Sequence, residues 1–319
     1  MAGSLLLGVN LAGAEFGSNV PGVFGTDYTY PTHAEIDYYA AKGMGVIRLP
    51  FLWERVQRSE FAALDATELG RHDDVVNYAT GKGLKIEIEP HNYGYGFGAL
   101  IGSGQTPNSA FADLWGKLAA HYKDDSNVIF GLMNEPHDQS ASAWLDSANT
   151  AIAAIRAAGA TQEILVPGSY WTGAWTWVSS DNDTTVGTGV KDPLNNYAFE
   201  VHQYLDSDGS GTHNQVVSTT IGVERLTAIT QWAEAHDAKL FLGEFGVGTD
   251  AASLTAMDNM LTYMSQHPVW QGGTYWAGGP WWGNSYWGSI EPVNGVDTAQ
   301  MTVMEKHIPH PGDVIPLSG

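Results

Sequence analysis

Short apolar runs alternate along this chain with longer stretches in which apolar positions recur every three or four residues, the pattern of strands and amphipathic helices taking turns. Leu5 to Asn10 reads as a first strand. Thr32-His33-Ala34-Glu35 then has the form of a capping box, and Gly43 supplies the stop of the helix it opens. Val46 to Pro50 is strand two, ended by proline. A helix from about Ala66 to Thr80 leads to strand three, Lys85 to Glu89, which runs into Pro90-His91-Asn92-Tyr93. Asn108 is placed to cap a helix reaching Tyr122. The fourth strand opens at Asn127 and stops in Asn134-Glu135-Pro136-His137, because a proline cannot continue a central strand. Ser140 to Ala158 is helical, Ile164 to Pro167 is strand five, and the stretch to Asn196 reads as an extended loop. Tyr197 to His202, Lys239 to Phe245 and Gly273 to Trp276 complete eight strands, with helices at Ile221 to His236 and Leu254 to Gln266 between them. A last helix falls within Thr298 to His307.

Eight strand–helix units imply an α/β fold, a (β/α)8 barrel in a single domain, with residues 1–309 as the barrel and 310–319 as a tail. In such barrels the carboxyl ends of the strands gather on one face, so polar residues there point to chemistry. Glu135 and Glu244 end two apolar strands in this way. A length of 319 residues with no Pro/Ser-rich linker agrees with one domain.

Composition narrows the chemistry. With 35 Asp+Glu against 14 Lys+Arg, the net charge of −21 repels nucleic acid and anionic membranes and makes polyphosphate substrates unfavourable. No cysteine is present, which excludes disulfides, thiol nucleophiles and cysteine-ligated metals. Leu5-Leu6-Leu7 is too short to span a membrane and lacks a basic flank, so no export leader is visible; Met1-Ala2-Gly3-Ser4 is compatible with a start that replaces one. Twelve tryptophans suit either core filling or flat platforms for a ligand.

Two facing carboxylates, with neither a metal-ligand cluster nor a nucleotide fingerprint, suit glycosidic bond cleavage. Glu135 is assigned acid/base and Glu244 nucleophile. One must carry a proton while the other carries charge, so their surroundings should differ, with Arg48 beside Glu244 and Tyr204 bonded to it. His91 and His202 would orient the carboxylates or bind hydroxyls, Asn134 would hold a sugar hydroxyl, and Trp276 would floor the cleaved position. Trp171, Trp175, Trp281 and Trp282 lie in Gly-rich loops where stacking on a sugar is a natural use.

Asn134-Glu135-Pro136, Gly243-Glu244-Phe245-Gly246, Arg48 in Ile-Arg-Leu-Pro-Phe, Pro90-His91-Asn92-Tyr93, His202-Gln203-Tyr204 and Trp276 together resemble a glycoside hydrolase family 5 cellulase. Gly25 to Pro31 and Leu205 to His213 are most similar to its subfamily 5. The resemblance covers about residues 5 to 292. It implies a retaining endo-β-1,4-glucanase acting on cellulose-type glucan or cello-oligosaccharides, without a cofactor or metal, working in a secreted or periplasmic setting. It also implies supporting roles for Arg48, His91, Asn134, His202 and Tyr204, with Asn92 among the substrate contacts.

Two residues depart from that pattern. Glu87 shares a strand face with Glu89 and His91, inside the barrel, where the family usually carries an apolar residue. His72 interrupts the apolar stripe of the second helix. These departures keep two other readings open: a cellulase scaffold redesigned around Glu87 and His72, or a carbohydrate-binding barrel without turnover. Asp206 to Gly211 resembles a calcium loop but lacks its closing Glu, so a turn is expected; Asn182-Asp183-Thr184 is a glycosylation sequon.

Overall fold

Thr32 starts the first helix as its box requires: its Oγ1 accepts from the Glu35 N–H at 3.3 Å, and Glu35 Oε2 accepts from the Thr32 N–H at 2.8 Å. The computed structural model, which describes residues 4–283 and 285–309, gives this helix as α1, His33–Ala41. The expected tail lies outside the described residues. Asp65 caps α2 (Ala66–Gly81) through the Glu68 N–H. Asn108 is the first residue of α3 (Asn108–Tyr122) rather than its cap, and its Oδ1 accepts from Ser147 at 2.7 Å on α4 (Ala141–Ala157), which Ser140 caps. Further helices are α5 (Ile221–His236), α6 (Ala251–Gln266) and α7 (Ala299–Glu305), and a single helical turn, Trp53–Val56, follows the second strand.

The strands are β1 (Leu6–Leu11), β2 (Val46–Phe51), β3 (Lys85–Pro90), β4 (Val128–Gly131), β5 (Ile164–Pro167), β6 (Tyr197–His202), β7 (Leu240–Phe245) and β8 (Trp270–Gly278). Each pairs in parallel with the next, and β8 pairs with β1 to close the barrel. The prolines expected to stop β2 and β3 are both accommodated, Pro50 opposite Glu89 and Pro90 opposite Phe51. After β5 the chain makes a single helical turn, Val186–Gly189, in place of a full helix, and the long loop around it also carries a short 3-10 turn at Tyr170–Thr172.

Alternation along the strands separates two cores. Val46, Ile129, Leu165, Ala198 and Phe241 meet inside the barrel at its amino-terminal end, with Leu6 against them. The larger cluster, including Trp53, Trp115, Trp144 and Trp177, fills the layer between sheet and helices. Above the inner plug the interior turns polar: Asn10, Arg48, Glu87, Glu89 and Glu200 are all 0% exposed. Register places Arg48 beside both Asn10 and Glu87, and His202 beside Glu244. Among the described residues, no helix is long and apolar enough to cross a membrane.

The sequon asparagine is not at the surface. Asn182 is buried, accepting from the Ser169 N–H and donating to the Ser169 carbonyl, so its amide is closed to a glycan. Asp206 is buried as well, and its oxygens accept from the Gly211 and His213 N–H groups and from Ser210 Oγ, which folds this loop on its own donors.

Candidate active site

Arg48 is the hub. It leaves β2 into the barrel, fully buried, and its Nη1 donates to Asn10 Oδ1 and Glu244 Oε1, each at 3.0 Å. Its Nη2 donates to Asn134 Oδ1 at 3.0 Å, and its Nε lies 2.9 Å from Glu200 Oε1. One planar guanidinium thus fixes the nucleophile candidate and the amide beside the acid/base candidate. The second oxygen of Glu244 accepts from the Tyr204 hydroxyl at 2.7 Å, as the sequence suggested.

Glu135 follows β4 with φ of 40°, a left-handed conformation that costs an L side chain about 1–2 kcal/mol. The surrounding bonds hold it there. The Asn134 N–H donates to the Pro90 carbonyl, the Trp171 N–H to the Pro136 carbonyl, and the His137 ring lies 3.0 Å from Glu135's own carbonyl oxygen. Glu135 Oε1 is 2.7 Å from His202 Nδ1, and the other ring nitrogen is 3.2 Å from Glu200 Oε1. Burial alone would push the His202 ring down. Glu244 and the bonds to Glu135 and Glu200 reverse that and raise it to about 10, so the ring is a cation donating from both nitrogens.

Carboxylate oxygens of Glu135 and Glu244 and a His202 nitrogen lie within 4.8 Å of one another. A cation could span such a set, but His202 already donates to Glu135, and Arg48 and Tyr204 already serve Glu244. The arrangement fits proton transfer and attack at carbon better than ligation.

Aromatic rings flank this pair. Trp171 and Trp175, 52% and 48% exposed, line a cavity of about 420 Å³ with Glu135, His202, Gln203 and Tyr204. Trp171 is itself stacked on His137, at 4.5 Å and 12°. Across the barrel, Trp276 at the end of β8 lies over His91 at 5.4 Å and 18°, and His91 Nδ1 is held 2.6 Å from Glu89. Trp282 backs Trp276 edge-on and stacks on Tyr286, with its N–H donated to the Gly278 carbonyl. Trp281 stands 39% exposed on the same loop.

Asn92 is the departure among the named residues. Its Oδ1 accepts from the Trp53 N–H and its Nδ2 donates to Glu54, so it ties the β3 loop to a neighbouring turn and is not set out for a sugar. His72 and Glu87 do not meet. Glu87 faces the barrel interior, whereas His72 packs outside the sheet against Phe51, Tyr30 and Tyr122. Glu200 is the residue that sequence reasoning passed over, although it lies two before His202 and so on the same face of the strand.

A closed parallel barrel that sets two carboxylates against each other at the ends of β4 and β7, between aromatic walls, has the architecture of a glycoside hydrolase. Comparison with known proteins narrows the class: the family described as cellulase, glycosyl hydrolase family 5, matches residues 9–281, and the chain belongs to it. Endo-beta-1,4-glucanase B of Aspergillus niger is 41% identical over 94% of this chain and 89% of its own length. The solved structure of XacCel5A in complex with cellopentaose superposes with a TM-score of 0.92 at 44% identity, covering 94% of this chain and 98% of that one. Pseudomonas stutzeri endoglucanase Cel5A in complex with cellobiose gives 0.90 at 37% identity, covering 98% and 95%.

Proposed function

We propose that this protein cleaves internal β-1,4-glucosidic bonds of cellulose-type glucans with retention of configuration, Glu135 serving as acid/base and Glu244 as nucleophile. The observation that carries the reading is the approach of their oxygens to within 4.8 Å. Retaining pairs stand about 5–5.5 Å apart, whereas inverting pairs leave about 6.5–9.5 Å for a water. Glu135 gives its proton to the glycosidic oxygen as the C1–O bond breaks, and Glu244 closes a C1–O bond to make a glycosyl-enzyme. Glu135 then takes a proton from water as that water attacks C1 and releases Glu244. A sugar hydroxyl in place of the water gives transglycosylation.

Platforms on both sides of the carboxylates let a chain run through the cleft, which suits internal cleavage of cellulose-type glucan and of cello-oligosaccharides. Among the described residues Asn134 Nδ2 meets no acceptor, which leaves it a donor for a sugar hydroxyl. The chemistry calls on no cofactor. A polymeric substrate of this size is met outside the cytoplasm, which favours a secreted or periplasmic setting. The binding-only reading is disfavoured because both carboxylates are held by donors suited to turnover, and the redesigned-scaffold reading because His72 and Glu87 occupy opposite faces of the sheet.

The test is reducing-sugar release from carboxymethylcellulose and cellopentaose by the parent, Glu135→Gln and Glu244→Gln, with the anomer of the first product read by NMR. Both variants should lose about 10³-fold or more in kcat, and the β-anomer should appear first. An inactive, folded parent or an initial α-anomer would overturn the proposal.

A further inference from the structure

Four buried carboxyl groups surround one guanidinium beneath the cleft. Arg48 Nε lies 2.9 Å from Glu200 and 3.4 Å from Glu87, and Nη1 lies 3.3 Å from Glu89 and 3.0 Å from Glu244. His202 is the second cation of the layer. Glu87 Oε1 and Glu200 Oε1 converge on the same Arg48 Nε–H, and two buried carboxyl groups meeting at one N–H favour a proton on one of them. Neither Glu87 Oε2 nor Glu200 Oε2 meets a donor among the described residues.

The strands carrying the catalytic pair are cut away to admit these two acids. A Cβ at Gly131 of β4 would stand 2.2 Å from Glu87 Oε1, and one at Gly243 of β7 would stand 2.0 Å from Glu200 Oε1. A side chain at either position would have to displace the acid opposite it from Arg48.

We infer that Glu87 is a positioning residue of the hydrolytic site. It and Glu200 hold one proton between them, and that proton sets the charge that reaches Glu135 through His202 and Glu244 through Arg48. The inference rests on the functional reading above and extends it to a residue that touches no substrate.

The groups facing Glu87 are Arg48 on β2, Glu89 on β3 and Glu200 and His202 on β6, with Glu244 of β7 on the far side of Arg48 and only glycine opposite on β4. Burial, then the neighbouring Glu200, pushes the Glu87 carboxyl well above the usual carboxylate range, against the pull of Arg48. Burial would raise Glu200 too, but Arg48 and His202 hold it down to about 2. These opposed directions leave the proton of the pair on Glu87 and its negative charge on Glu200. Adding a second would draw the guanidinium away from Glu244, so turnover would fall as that second charge appeared.

The experiment compares the parent with Glu87→Gln and Glu87→Leu by the pH dependence of kcat/KM on cellopentaose, alongside thermal denaturation. Leu removes the protonated carboxyl beside Glu200, and kcat should fall about tenfold with KM moved by less than about twofold. Gln restores a donor that cannot ionise: it should recover most of kcat and move the alkaline limb upward by about half a pH unit or more. Folded variants with profiles superimposable on the parent's would overturn the inference. Should Leu fail to fold, the Gln profile decides alone. An inactive parent counts against the hydrolytic reading instead, and Glu87 is then judged by infrared spectroscopy. The protonated-carboxyl carbonyl band at neutral pH should weaken by one acid in Glu87→Gln, and an unchanged band would overturn the inference.

Discussion

His72 sits in the second helix with a polar ring in an apolar layer, and its partner decides its chemistry. The Tyr122 hydroxyl, 2.7 Å from His72 Nδ1, sends its own proton to Asp73 at 2.6 Å, so the histidine must be the donor and carry its hydrogen on Nδ1. Nε2 is then a bare, buried lone pair that meets no donor among the described residues. Burial holds the ring down to about 4, below its ordinary 6.5. Between those values the unfolded chain binds a proton that the folded chain refuses, so stability is full above pH 6.5 and falls as the pH drops toward 4. At about 1.4 kcal/mol per unit the loss is a few kcal/mol. His72→Phe should flatten the fall of Tm between these pH values, and a slope equal to the parent's would show that His72 is not its source.

At the scale of elements, the strand glycines matter more than the helix caps. Gly243→Ala would drive a methyl into Glu200 Oε1, 2.0 Å away, and displace the carboxyl that holds both Arg48 and His202. A loss of about 2 kcal/mol or more in stability, with at least about tenfold lower kcat, is expected by denaturant titration and cellopentaose turnover. Retention of both would mean that the layer tolerates rearrangement. The strands, most of the helices and the placing of Glu135 and Glu244 at the ends of β4 and β7 were legible in the sequence because each rests on local signals: apolar runs, helix caps and polar strand ends. Asn92 misled because a polar side chain beside a site can serve the backbone instead, and only the fold shows Trp53 and Glu54 waiting for it. The loop after β5 hid its content for another reason. Tyr170, Trp171 and Thr172 take consecutive positive φ values of 56°, 57° and 48°, a left-handed turn that propensity does not foresee. Thr172 Oγ1, accepting from the Gly168 N–H and donating to the Glu200 carbonyl, anchors it from outside the segment. The signal for Glu200 was present two residues before His202, but a carboxylate there gains meaning only once Arg48 and Glu87 are brought across from neighbouring strands.

For the molecule as a whole, the net charge of −21 acts on the substrate before contact is made. Carboxymethylcellulose is a polyanion and is repelled; cellopentaose is neutral and is not. Raising NaCl from about 10 to about 300 mM shortens the screening length from about 30 Å to less than 10 Å. The kcat/KM on carboxymethylcellulose should then rise several-fold while that on cellopentaose stays nearly constant, and equal salt responses would remove electrostatics from the account. The apolar plug of Val46, Ile129, Leu165, Ala198 and Phe241 has an effect of a different kind. It closes the lower end of the barrel beneath Glu87, Glu89 and Glu200, leaving the cleft as their way to bulk solvent. Once a glucan lies across that mouth these three acids are covered, and they keep the protons they held when the chain settled while Glu135 trades its own with the attacking water. The barrel then behaves as a stoppered vessel, filled between turnovers and shut during them.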